Sequence, residues 1–291
     1  MTCKICGGQT ELIGEKQGRL AGRAFVLLRC LTCRFAFVEN PWLEYDKIYD
    51  AAYYEGRGAD PLVDYHFELA DPRATIRTYE WRGILEIVGG LAKLDASTRW
   101  LDFGCGNGGL VRHLRETLGC DAVGFEQGGI VPAARARGIP ILEPRELAAR
   151  EGSCDVVTAI EVLEHTADPL ATLREIRRLL RPGGVFFYTT GNAAPQRDAL
   201  LAWSYFIPEI HISLYEPSSM EEALRRSGFE PRRVGRLPGW DKIVAFKVLK
   251  NLHVRRRRAV LDLVPWRWLA GAVDARYRLS EFPVAYAGAR P

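Results

Sequence analysis

No uninterrupted apolar stretch approaches the ~20 residues that a membrane-spanning helix needs. The opening Met1-Thr-Cys-Lys4 begins no apolar run of signal-peptide length. The expectation is a globular protein of the cytoplasm with no membrane span. Charge of one sign is also scarce. Lys and Arg number 40 against 36 Asp and Glu, a net charge of +4, and much of the excess sits in Arg255-Arg-Arg-Arg258. A general nucleic-acid footprint would be more basic, and the arginine run is read as a solvated helix face. With 291 residues, 47% of them hydrophobic, the chain can bury a full core, with room for one large domain and a small one.

Seven cysteines are an odd number, and four fall into two C-x-x-C pairs, Cys3/Cys6 and Cys30/Cys33. Without a secretory signal that arithmetic favours a metal over disulfides. Each C-x-x-C turn presents two thiolates, and two turns complete a tetrahedral shell. Zinc is the expected ion, structural because no coordination position stays open. The spacer of 23 residues is a little longer than usual, and Ala24 to Leu28 within it reads as a strand. A redox dithiol is the competing reading.

The stretch Arg99-Trp-Leu-Asp-Phe-Gly-Cys-Gly-Asn-Gly-Gly109 reads as a strand, a tight turn and the start of a helix. Glycine serves such a turn because the backbone takes positive φ and a ligand approaches with no Cβ in the way. Gly104, Gly106 and Gly109 also fit G-x-G-x-x-G, so the pattern alone does not choose between cofactors. The neighbouring acids do. Asp102 stands at the mouth of the strand, where it would face a cationic or donor group rather than a pyrophosphate. Glu126 ends the next apolar run, 20 residues past Gly106, where a carboxylate can accept ribose hydroxyls. A ligand with a ribose and a cationic amino-acid portion satisfies both. The combination resembles the first two motifs of class I S-adenosylmethionine-dependent methyltransferases.

Elsewhere the chain alternates strands and helices. Residues 40–71 carry Trp42, Tyr45, Tyr49, Tyr53, Tyr54, Tyr65 and Phe67. These rings are read as packing the small module onto the main domain; the alternative makes Tyr53, Tyr54 or His66 part of a lid. Asp71-Pro72 is expected to open a helix through Leu91, and Leu110 to Leu118 forms one ended by Gly119. Further strands are read at 122–125, 139–142, 155–160, 185–189 and 229–237, with helices near 131–137 and 145–150. Asp168-Pro169 caps another helix, and a Ser218-to-Glu221 capping box the one after it. Helices over about 241–278 are expected inside a terminal hairpin whose last strand holds Phe282 to Tyr286; the alternative makes Lys242 to Leu252 that strand.

The run Asp155-Val-Val, Glu161-Val-Leu-Glu-His165, Asp168-Pro169 and Leu-Leu-Arg-Pro-Gly-Gly184 looks like the later motifs of the same superfamily, in their usual order. The likeness covers about 97–230. It implies an α/β, doubly wound, seven-stranded Rossmann-like sheet whose last strand is antiparallel, beside a small zinc-ribbon-like module. The implied division is 1–40 for the zinc-binding module with its four cysteines, 41–95 for an aromatic linker and helical lid, and 96–291 for the cofactor-binding domain. Carried over by position, Asp102, Gly104, Cys105 and Gly106 line the methionine end, Glu126 the ribose and Gln127 the adenine, with Ile160 and Glu161 at the pocket edge. The base candidates are His211 and His165, with Glu209 orienting His211. The zinc-bearing layout is similar to methyltransferases of sugar nucleotides and other small molecules, which implies a small hydroxylated acceptor methylated at oxygen or carbon. Alternatives are an RNA methyltransferase, a cofactor-binding adaptor without turnover and, more distantly, an NAD-dependent oxidoreductase.

Overall fold

The computed structural model describes residues 1–58, 64–72, 75–234, 238–251, 263–277 and 284–289. The arginine run 255–258 and residues 282–283 of the expected last strand lie outside the described residues.

Two sheets organise the chain. The larger contains β4 (Arg99–Phe103), β5 (Asp121–Phe125), β6 (Ile141–Leu142), β7 (Cys154–Ile160), β8 (Leu180–Thr190), β10 (Glu230–Val234) and β11 (Val284–Ala289). Their spatial order is β10-β11-β8-β7-β4-β5-β6. β8, β7, β4, β5 and β6 are mutually parallel, and β11 runs antiparallel between β8 and β10. This is the expected seven-stranded doubly wound sheet with its last strand reversed. Of the alternative last strand, Lys242 to Leu252, residues 242–251 lie in α10 (Trp240–Asn251), which with α11 (Trp266–Tyr277) is inserted between β10 and β11, and Leu252 lies outside the described residues. Strand order reverses at β4, whose neighbours are β7 and β5. Ligands of open α/β sheets bind in the crevice at such a switch, beyond the carboxyl ends of the strands.

The smaller sheet is β1 (Thr10–Gln17), β2 (Ala24–Cys30), β3 (Ala36–Val38) and β9 (Ser213–Leu214), antiparallel in that order. Two residues of β9 join the N-terminal hairpin to the loop that precedes them. Phe25, Leu27, Ala36 and Val38 share a core with Leu200, Phe206, Ile212 and Leu214.

The helices follow the sequence signals with two corrections. α1 (Tyr45–Ile48), α2 (Ala51–Tyr54) and α3 (Tyr65–Ala70) break the aromatic stretch into short pieces, α2 and α3 capped by Asp50 and Asp64. α4 (Arg77–Gly89) starts five residues later than Pro72. α5 (Gly109–Leu118) begins at the glycine turn and ends on Gly119, at φ +66°. α6 (Val131–Arg135), α7 (Pro144–Ala148) and α8 (Pro169–Leu179) stand near their expected places, with Asp168 capping Ala171 N–H at 3.0 Å. α9 (Pro217–Arg226) is capped by a Glu216/Ser219 box rather than by Ser218 and Glu221. Glu216 takes that position because it is buried and paired with Arg197 and Arg34.

Candidate functional site

The glycine turn at the end of β4 is pinned by its own backbone. Gly104 N–H and Cys105 N–H both donate to the Phe125 carbonyl, at 2.8 and 3.1 Å. Gly104 sits at φ +74° and Gly106 at +53°, and a Cβ would stand 2.6 Å from the Val162 side chain at the first and 2.9 Å from the Tyr65 ring at the second. Any side chain there is strained and also fills the cleft. The turn borders a cavity of about 250 Å³ whose lining includes Asp102, Gly104, Cys105, Gly106, Glu126, Ile160, Glu161 and His165. Cys105 is buried, with its sulfur packed against Gly124.

Asp102 is buried at the foot of the cavity, where it accepts a hydrogen bond from Thr158 Oγ1 at 2.7 Å. Trp100 Nε1 donates to the same hydroxyl at 3.1 Å, which turns the threonine proton toward Asp102. Burial, aided by the Glu126 charge, pushes the Asp102 carboxyl up to about 7. Folding therefore takes up a proton here between the ordinary carboxylate range and neutrality, and the Asp102 contribution to stability declines as pH rises through that window. A cationic ligand reverses the preference. The thermal shift produced by S-adenosylhomocysteine is expected to be largest above pH 7 and to lose this dependence in Asp102→Asn; a shift independent of pH in the parent protein would contradict the assignment.

Glu126 stands just past β5. Its Oε2 accepts Gly106 N–H at 2.9 Å, and Oε1 accepts Gln127 and Gly128 N–H at 2.8 Å each. Three amides thus fix the carboxylate over the turn, with a lone pair left on Oε2. Gln127, expected beside the adenine, is exposed and outside the lining.

The aromatic stretch lies over this cleft. Tyr49, Tyr53, Tyr54 and Tyr65 line the cavity, the first three in edge-to-face contact at 4.9 and 5.1 Å between centroids. Asn107 Nδ2 ties the strap to the turn through the Tyr65 carbonyl at 2.9 Å. Tyr53 and Tyr54 thus cover the cleft rather than serving only as packing for the N-terminal module, and His66 is not part of the lining. Glu68, Arg77, Glu80 and Trp81 also line the cavity and had no sequence motif. Arg77 donates from Nε to Glu68 at 2.9 Å and from Nη1 to Glu80 at 2.8 Å. The spacing of Arg77 and Glu80 on one helix was visible; the link to Glu68 was not.

At the opposite rim, His165 Nδ1 lies 2.9 Å from the Ile210 carbonyl and 3.0 Å from Tyr49 Oη. The carbonyl needs a donor, so Nδ1 carries the proton. His211 is one layer deeper, outside the cavity lining, stacked on Tyr205 at 4.1 Å and 5.0 Å from His165. Its Nδ1–H donates to the Tyr205 carbonyl. Burial and the neighbouring His165 push its pKa down to about 3, so it is a neutral imidazole. Glu209 does not orient it. The turn at 207–211 sends Glu209 the other way, where Oε1 accepts Leu20 N–H at 2.9 Å.

The four N-terminal cysteines converge. Cys3 Sγ is 3.6 Å from Cys33 Sγ, Cys6 Sγ is 3.4 Å from Cys30 Sγ, and all four sulfurs lie within 4.8 Å of one another. A tetrahedral zinc with ~2.3 Å bonds separates its sulfurs by about 3.8 Å, so the donor set fits. Backbone N–H groups of Ile5, Gly8 and Thr32 point at three of these sulfurs from 3.4 Å.

Residues 74–234 match the family model described as a methyltransferase domain. The Ubiquinone biosynthesis O-methyltransferase of Xanthomonas oryzae pv. oryzae is 39% identical over 120 residues, 38% of this chain and 50% of the relative. Its counterpart in Acinetobacter baumannii is 28% identical over 233 residues, 74% of this chain and 87% of the relative. The chain thus spans about half the length of the first of these relatives. Among solved structures, a chain of the complex between the Haloferax volcanii Trm112 methyltransferase activator and a methyltransferase shares the fold. The TM-score is 0.54 at 21% identity, over 78% of this chain and 98% of that one. With its matched segment covering the glycine turn, both acids and the whole parallel sheet, the chain belongs to the methyltransferase-domain family.

Proposed function

We propose that the chain transfers a methyl group from S-adenosylmethionine to a small hydroxylated acceptor. The observation that carries this reading is the pair of carboxylates on adjacent strand ends, Asp102 and Glu126, beside a turn whose glycines leave the cleft open. Asp102 is buried with no cation beside it among the described residues, which suits an incoming ammonium. Glu126 keeps an acceptor position for a ribose hydroxyl, and Arg77 retains donors at Nη2 for a carboxylate. Ile160 supplies an apolar edge at the end of β7. Once bound, the cofactor supplies an electrophilic methyl group on a sulfonium with a good leaving group. The protein's share is then to align the acceptor, exclude water and receive a proton. The tyrosine strap does the second of these by roofing the cleft.

Tyr49, Tyr53, Glu161 and His165 also line the cavity, and we assign the acceptor to them. Aromatic faces beside a carboxylate suit a hydroxylated ring, whether a sugar or an aryl group. The relatives named as ubiquinone O-methyltransferases favour oxygen as the methylated atom. We assign zinc to Cys3, Cys6, Cys30 and Cys33 as a structural ion. Labelled methyl from S-adenosylmethionine, incubated with the protein and a small-molecule cell extract, is expected in a low-molecular-weight hydroxylated product. Label found in RNA would overturn the acceptor class, and no transfer at all would favour a binding role without turnover.

A further inference from the structure

Beside the cavity, three oxygens stand in a row. Tyr205 Oη is 2.9 Å from Glu161 Oε2 and 2.6 Å from Glu164 Oε1. A phenol has a single proton, and two hydrogen bonds need two. The backbone N–H of Gly191 donates to the phenol oxygen at 3.2 Å and so serves neither carboxylate. The row therefore holds one proton beyond the phenol's own, shared between Glu161 and Glu164. The surroundings favour retention of this proton. Glu164 is 1% exposed, and burial raises its carboxyl even though the hydrogen bond that Oε2 accepts from Thr190 Oγ1 at 2.7 Å favours the charged form; like charges so close, one of them buried, do not both ionise. Among the described residues, His165, His211, Tyr49 and Tyr215 are titratable groups that also face the row. Glu161 itself lines the cavity and is held at φ +53°, a conformation that costs a non-glycine residue energy and turns its carboxyl toward Tyr205.

From this arrangement we infer that Glu161 is the catalytic proton acceptor and that Tyr205 and Glu164 are positioning residues forming a relay behind it. The inference rests on the hydroxylated-acceptor reading above. The acceptor oxygen forms its bond to the methyl carbon as the carbon–sulfur bond breaks and leaves its electron pair on sulfur. The hydroxyl proton passes to Glu161, the shared proton moves through Tyr205 onto Glu164, and the row, initially −1, becomes neutral until solvent takes the proton. His211, neutral and a layer deeper, then serves to hold the Tyr205 ring by stacking.

Two measurements on the full chain test this. Infrared spectra at about pH 6 on an Asp102→Asn parent, which lacks the other raised carboxyl, should show a carboxylic-acid C=O band above the amide band, lost in Glu164→Gln and displaced in Tyr205→Phe. Absence of that band in the parent overturns the relay whatever the acceptor is. Methyl transfer to catechol and to UDP-glucose as probes should then show kcat lowered by about 100-fold in Glu161→Gln. In Tyr205→Phe kcat should fall with the acceptor KM and the Kd of S-adenosylhomocysteine unchanged, a split that a misfolded wall would not give. An unaltered kcat in Glu161→Gln overturns the assignment. Turnover of neither probe by the parent counts against the hydroxyl reading, while the infrared band still decides whether the proton is there.

Discussion

Glu126→Ala is expected to lower the affinity for S-adenosylhomocysteine by about 10- to 100-fold, because charge-assisted hydrogen bonds contribute ~1.5–3 kcal/mol each. The effect has two sources. The ribose loses its acceptor, and the Gly106, Gln127 and Gly128 amides lose the carboxylate that orders them. Glu126→Gln separates the two, since an amide oxygen retains some of the acceptor capacity while the charge is gone. Titration calorimetry on variants with the parent's circular dichroism checks the result, and an affinity equal to the parent's would count against the ribose assignment. Gly128 marks how closely the strap fits this corner: a Cβ there would stand 1.6 Å from Tyr54 Oη.

Loss of the zinc proposed at the four thiolates should have the other large effect, and it should appear at a distance. Cys30→Ser or Cys33→Ser removes a ligand from a site whose binding energy is also folding energy, a destabilisation of several kcal/mol for the N-terminal sheet. That sheet grips the segment between β8 and α9. Val38 N–H donates to the Ile212 carbonyl at 2.9 Å, Lys16 Nζ to the Phe206 carbonyl at 2.7 Å, Ser218 Oγ to the Cys33 carbonyl at 3.1 Å, and Tyr215 packs on Phe35 at 5.1 Å. The segment so held, 200–216, carries Tyr205 and His211. The Asp102 and Glu126 end is built by β4 and β5 and makes none of these contacts. The variants should therefore bind S-adenosylhomocysteine within about threefold of the parent while acceptor turnover and zinc content are lost. Parent protein purified without chelator and free of zinc would remove the ion from the account. Equal loss of both ligands would remove the division of labour.

What was legible in the sequence follows the range of the interactions involved. The β4 turn, α5 and its Gly119 stop, the capped start of α8 and the order of the parallel strands are set by neighbours in the chain, and they stand where periodicity and capping place them. The places of Asp102 and Glu126 on the cleft follow for the same reason, being fixed by distance from a glycine turn. The two-residue β9 was not, since its pairing depends on β3, about 175 residues earlier. Nor was the row of Glu161, Tyr205 and Glu164, because Tyr205 sits in a loop with no periodicity, 44 and 41 residues along the chain from the two acids. Glu209 shows the opposite hazard. Two residues from His211 in sequence, it faces the β1–β2 hairpin because the intervening turn reverses direction, and proximity along the chain implied a contact the backbone does not make. Arg77 was hidden in an amphipathic pattern, where a half-buried arginine looks like any polar position until Glu68 arrives from another helix.

The most direct measurement is a crystal structure of the full chain with S-adenosylhomocysteine. The two ribose hydroxyls should lie within hydrogen-bond distance of Glu126, the amino-acid portion should extend along Gly104 and Gly106 toward Asp102 and Arg77, and the sulfur should face Glu161. A nucleoside bound away from the β4–β5 crevice, or Asp102 and Glu126 both turned from it, would contradict the assignment.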